Sequence, residues 1–167
     1  MLSVEDVQDL PLGDPIELVT RFVTNQDWLL QQRDENLVLA EVPGRWSDYQ
    51  LAVTWQHSEE ALIVICRMDI KCDCQSIGEL ALLAALLNQQ IFTGHLALDL
   101  ASGELELRHT LLLRGAGGAT PEQVEDVVDI MLGECDYCFP AIYQVAMAQL
   151  PATEAIDTVI TVPQGEA

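Results

Sequence analysis

The 167-residue chain sets 27 Asp and Glu against 7 Lys and Arg, a net charge of -20 at pH 7, and a field of that sign repels phosphate backbones and anionic headgroups. Nucleic acid and membrane surfaces are thereby excluded as partners, which leaves either basic protein segments or a purely solubilising role for the charge. Half of the residues are hydrophobic and only 20% charged, the make-up of a globular domain with one core and not of a disordered chain.

In chain order, Met1 to Leu10 carries Glu5, Asp6 and Asp9 and no basic residue ahead of an apolar run, so no secretory signal is read there and a cytoplasmic location follows. Asp14, Pro15 and Glu17 then form a capping-box pattern that opens a helix ending near Asn25, with Leu18, Val19, Phe22 and Val23 at helical spacing. Four segments of strand character come next: Trp28 to Gln31, Leu37 to Val42, Tyr49 to Trp55 and Ala61 to Ile70. In the third, Tyr49, Leu51, Val53 and Trp55 alternate with Gln50, Ala52, Thr54 and Gln56, the period of a half-buried strand. Ser58, Glu59 and Glu60 turn it into the fourth.

A second helix is predicted from Ser76, with Glu79 as its capping partner, through Leu80, Leu83, Leu86 and Leu87 and as far as Ile91. It is apolar nearly all round, which requires burial on more than one side, within the domain or against a second copy. It is also the densest apolar run, yet far short of the ~20 residues of a membrane span. Strands at Leu96 to Leu100 and Glu104 to Arg114 follow, joined at Ser102 and Gly103. The last long helix opens at Thr120, Pro121 and Gln123, with a seam of Val124, Val128, Met131, Cys135, Cys138 and Ile142, and Pro140 is expected to kink or split it. Residues 1–150 read as a single domain, and 151–167 as a short helical piece around Glu154 to Ile160 with a loose tail from Pro163. The order of elements argues an α+β fold, an antiparallel sheet of about five strands packed with helices.

The residues that could carry chemistry are few. Cys72, Cys74, Cys135 and Cys138 offer four thiols, enough for a tetrahedral zinc site, but Cys135 and Cys138 lie on the apolar seam of a helix, where cysteine packs as a small hydrophobe. Five cysteines, an odd number in a chain without an export signal, point to reduced thiols. His57, His95 and His109 show no paired spacing on a helix face, and no Gly-x-Ser-x-Gly elbow occurs. Gly115 to Thr120 lead from a strand into a helix start, where Arg108 and Arg114 could accompany an anion, but the lysine of a phosphate loop is missing. Trp28, Trp46 and Trp55 read as core residues, with Trp46, beside Arg45, also a candidate interface anchor. The reading therefore assigns no catalytic, cofactor-binding or metal residue.

Several blocks together resemble the YbjN-domain family of bacterial regulators: Glu41-Val42-Pro43-Gly44-Arg45-Trp46-Ser47-Asp48-Tyr49, Cys66 to Asp69, Leu87-Asn88 through Gly94-His95, Leu107-Arg108-His109 with Leu111-Leu112-Leu113-Arg114-Gly115, Thr120-Pro121-Glu122-Gln123 and Glu134-Cys135 through Pro140-Ala141. Lys71-Cys72-Asp73-Cys74 departs from that pattern. The resemblance implies a type III secretion chaperone-like fold that pairs as a homodimer through its sheet or long helix, no catalytic residues and no cofactor. It points to a non-enzymatic, cytoplasmic regulator or chaperone-like adaptor whose partner is a protein. A cysteine-based metal or redox protein is the alternative from a different class.

Overall fold

A computed structural model describes residues 12–73 and 75–160. The readings placed on Met1 to Leu10, on Cys74 and on the tail from Pro163 lie outside the described residues. The chain runs α1 (Pro15–Asn25), β1 (Leu29–Arg33), β2 (Leu37–Pro43), β3 (Asp48–Gln56), β4 (Ala61–Lys71), α2 (Ile77–Leu87), β5 (His95–Asp99), β6 (Glu104–Leu112), α3 (Pro121–Ala148) and α4 (Ala152–Ile160). The strands form one antiparallel six-stranded sheet in the order β1-β2-β3-β4-β6-β5. The fold is α+β, as expected, and the sheet has one strand beyond the expected five or so.

Period-two patterning decides which face of the sheet is covered. Val38, Ala40 and Val42 of β2, Tyr49, Leu51 and Val53 of β3, Leu62, Val64 and Cys66 of β4, and Leu105 and Leu107 of β6 all lie fully buried beneath the helices. Helix α3 packs over β4 and β6, α1 over β1 to β3, and α2 beside β5, while α4 fits between α2 and α3. The C-terminal helical piece thus docks, burying Ala152, Ala155, Ile156 and Val159 in the same core.

Capping follows the sequence at two helices and departs from it at the third. Asp14 accepts from the backbone N–H of Ile16 at 2.8 Å and Glu17 at 3.1 Å, although the Glu17 side chain turns away to Arg33 and Arg21. At α3 the box is complete, with Gln123 N–H to Thr120 Oγ1 at 3.1 Å and Thr120 N–H to Gln123 Oε1 at 2.9 Å. Ser76 makes no side-chain cap for α2; the Asp73 carboxylate accepts from the N–H of Gln75 and Ser76 instead. Glu79 is correspondingly free to accept from the N–H of Ala152 at 2.8 Å, satisfying an orphan donor at the start of α4. The three-residue spacing of Ser76 and Glu79 predicts a local box, but the carboxylate serves a different helix.

The edges of the sheet are managed unequally. On β5 the Asn88 side chain accepts from the N–H of Leu96 at 2.7 Å and donates to its C=O at 3.2 Å, occupying the groups that another strand would use. Edge strand β1 is short and bulged between Leu30 and Gln32, which also discourages strand addition. Replacing Asp14 by Ala is expected to lower stability by about 1 kcal/mol through loss of both N-terminal bonds of α1, measured as the shift of the urea midpoint at unchanged slope.

Candidate functional site

Two blocks far apart in sequence meet where the β2–β3 turn touches α3. Pro140 lies inside α3, which nevertheless runs unbroken from Pro121 to Ala148, so the expected split does not occur. A proline there has no N–H for the carbonyl four residues earlier, that of Asp136. The indole Nε1–H of Trp46 supplies the missing donor, at 3.0 Å from the Asp136 carbonyl oxygen. The carboxylate of the same residue accepts from Arg45 N–H at 2.8 Å and from the Tyr49 hydroxyl at 2.7 Å.

Local sequence makes that turn possible. Gly44 donates its N–H to the Ser47 carbonyl, and any side chain at Gly44 would collide with the Tyr49 ring. Tyr49 is wholly buried, and burial first, then its bond to the Asp136 carboxylate, raises its hydroxyl pKa well above the usual phenol value. It stays neutral and donates. Trp46 is 50% exposed, with the Arg45 guanidinium 5.1 Å from its ring centroid. Its reading as core is corrected, and its reading as an exposed Trp beside Arg holds. Trp28 and Trp55 pack at the margin of the core.

The face of the sheet turned away from the helices carries no covering element among the described residues. Its side chains form cross-strand rows: Leu37, Thr54, Ile63 and Thr110, then Leu39, Ala52, Ile65 and Arg108, then Glu41, Gln50, Arg67 and Glu106. The first row alternates aliphatic side chains with threonines, the second is apolar except for Arg108, and the third is polar and charged. Beyond the third row a cleft of about 370 Å³ opens between Glu41, Asp48, Asp69, Lys71 and Glu104, beside the irregularity in β4–β6 pairing between Arg67 and Lys71. Leu29 of β1 adds an apolar side chain, 60% exposed, at one margin.

Among the described residues the thiols do not assemble a centre. Cys135 and Cys138 are buried in the core as free thiols, and the Cys135 thiol hydrogen-bonds with that of Cys66 on β4. Cys72 is also buried, and its backbone N–H bonds to the Gly103 carbonyl. No group of three His, Cys, Asp or Glu among the described residues could hold a metal ion. The bond to Cys66, then burial, pushes the Cys135 thiol pKa upward, and burial with the Glu134 charge pushes Cys138 up to about 12.

The imidazoles are scattered. His57 bonds to Trp55 and Asn36, and His109 Nδ1 lies 3.2 Å from Thr93 Oγ1. Burial, and then His95 nearby, lowers the His109 pKa. His109 borders a shallow groove of about 230 Å³ with Phe92 and Val127. The glycine-rich link has positive φ at Gly115, Gly117 and Gly118, but Arg108 is tied to Glu106 at 3.2 Å and does not join Arg114 there.

A family profile described as "Putative bacterial sensory transduction regulator", that of YbjN, matches residues 15–144. The chain belongs to the YbjN family. The crystal structure of YbjN from E. coli superposes with a TM-score of 0.60 at 13% identity, covering 84% of this chain and 98% of that one. A chain of the ExsC–ExsE complex superposes with a TM-score of 0.52 at 17% identity, covering 73% and 88%. At such identities the likeness is one of fold. No curated protein matches the chain significantly. Two blocks that carried the YbjN resemblance, Glu41 to Tyr49 and Glu134 to Ala141, are the ones joined through Asp136.

Sequence reasoning missed Asp136 as the hub and Asn88 as the guard of β5. For Asp136 a signal existed: a proline inside a helix leaves a carbonyl free four residues back. Trp46→Phe is expected to cost about 1 kcal/mol in the native background and clearly less in Pro140→Ala, where a backbone N–H can take the carbonyl; a double-mutant cycle by urea denaturation measures the coupling. Equal costs in both backgrounds would refute the link. Iodoacetamide at pH 8 is expected to leave Cys135 and Cys138 unmodified in the native protein and to modify them fully in guanidinium, as peptide mass mapping reads directly.

Proposed function

We propose that this YbjN-family protein is a non-enzymatic adaptor or regulator that holds a segment of another protein on the helix-free face of its sheet. The observation that carries the reading is that face itself: two adjacent rows that carry Leu37, Ile63, Leu39, Ala52 and Ile65, left uncovered by the described residues on a chain of net charge -20. Contiguous apolar surface on a soluble chain marks an interaction site. Family membership and a fold shared with a chain of the ExsC–ExsE complex favour a protein-binding role over catalysis. No nucleophile, base and oxyanion donor converge among the described residues in the way an active site requires.

The partner is protein, because the charge disfavours nucleic acid and anionic membrane. No helix among the described residues is long and apolar enough to cross a membrane, and the proposal places the chain in the cytoplasm. It also pairs the chain as a homodimer through α2, whose outer side exposes Ala81, Ala85 and Leu82, the last 44% exposed, with no charge among them. Two chains of -20 can approach only through surface of that kind. The cysteine-based metal or redox reading is disfavoured by the burial of the described thiols and by the lack of a metal-holding group among the described residues.

Cross-linking the native protein in bacterial lysate is expected to capture a defined protein partner that Ile63→Ser/Ile65→Ser loses while its circular dichroism stays native. A partner retained by that variant, or none captured by the unaltered chain, would count against the sheet face.

A further inference from the structure

We infer that the segment held on this face is extended and basic, with apolar side chains followed at two-residue spacing by Arg or Lys; the inference rests on the adaptor reading above and specifies its partner. Successive rows on the face are set by alternate residues of β4, Ile63, Ile65, Arg67 and Asp69, so they recur about every 7 Å along the strands. An extended segment running beside β4 presents its own alternate side chains at the same interval. Apolar residues over Ile63 and Ile65 therefore carry the following ones past Arg67 and into the cleft.

The charge of the cleft decides what those following residues are. Arg67 is engaged by Glu106 at 2.9 Å and Lys71 by Glu104 at 3.6 Å. Glu41, Asp48 and Asp69 line the same cleft and form no ion pair among the described residues, which leaves an excess of negative charge in a space of about 370 Å³. A bare metal ion is a poor occupant, because no three of these carboxylates are grouped to ligate one. A long side chain that ends in a guanidinium or ammonium spans the cleft and meets the carboxylates where they stand.

A second copy of this chain is also a poor occupant. It has seven Lys and Arg in all, of which Arg21, Arg33, Arg67, Lys71 and Arg108 are already paired with carboxylates, and it would bring a further charge of -20 against the acidic cleft. Nor does the β5 edge compete for an extended segment, since Asn88 occupies the N–H and C=O of Leu96.

The test uses the full chain and a fluorescently labelled peptide in which serines alternate with two leucines followed by two arginines, read by anisotropy. The matched peptide with glutamates for arginines serves as reference. Binding is expected for the arginine peptide only, weakened about tenfold or more by Asp48→Lys/Asp69→Lys, and again by Ile63→Ser/Ile65→Ser. Asp126→Lys/Asp129→Lys, the same charge change on exposed α3 positions, should leave it within about twofold, which separates the cleft from the diffuse field of the molecule.

No binding of the arginine peptide, equal binding of the glutamate peptide, or equal loss in both charge variants would overturn the inference. So would a dimer in light scattering that Ile63→Ser/Ile65→Ser converts to a monomer, since the face would then belong to a second copy. A lysate partner that is lost with Ile63→Ser/Ile65→Ser but indifferent to Asp48→Lys/Asp69→Lys would leave the adaptor reading standing and remove the basic segment alone.

Discussion

A proline in the middle of a 28-residue helix leaves one carbonyl unpaired, and the molecule is organised around what fills that vacancy. The Trp46 indole reaches the Asp136 carbonyl, while the Asp136 carboxylate holds the backbone of Arg45 and the buried hydroxyl of Tyr49. Three bonds from one residue tie the β2–β3 turn to α3 across some ninety positions of sequence. Truncating Asp136 would orphan a buried phenol and a backbone donor together, and the desolvation cost of such groups exceeds the modest net gain of an ordinary hydrogen bond. Tyr49 extends the tie along α3, since its ring lies 6.2 Å from that of Phe139, which in turn stacks on Tyr143.

That tie has a consequence for the opposite face of the sheet. With α3 fixed over β4 and β6, and the turn before β3 anchored, all four helices lie on one side. The other side is a rigid, twisted ribbon surface whose side chains are placed by strand register rather than by flexible loops. Binding there does not require the sheet to rearrange, which reduces the ordering cost that an extended partner must overcome. In the proposed binding the acidic surface would act at longer range, drawing cationic segments in and keeping like-charged neighbours apart.

The cysteines illustrate how position along a period overrides composition. Four thiols in two close pairs suggest a metal site when counted, but Cys135 and Cys138 recur at helical spacing on the seam that faces β4, and Cys66 recurs at strand spacing on the face beneath it. They meet because both periods point inward. Buried there, the thiols of Cys135 and Cys138 are held in the neutral form, Cys135 by its hydrogen bond with Cys66 and then by burial and Cys138 by burial, the state in which cysteine packs as a hydrophobe.

Local signals in the chain were enough to define the elements and their inward faces. Alternation in Tyr49 to Trp55, the Asp14-Pro15 and Thr120-Pro121 starts, and the seam through Val124 and Met131 each depend on neighbours within a few residues, where period and capping are decided. The order of strands, with β5 placed outside β6, depended on packing across the whole domain. So did the diversion of Glu79 from its own helix to Ala152 of α4, and the survival of α3 past Pro140. In each case a polar group unsatisfied within its own segment found its partner far along the chain, and spacing alone does not encode which partner that is. The uncovered apolar rows were likewise present in the sequence as alternate residues, but that no described helix lies over them was settled only when all four packed on the other side.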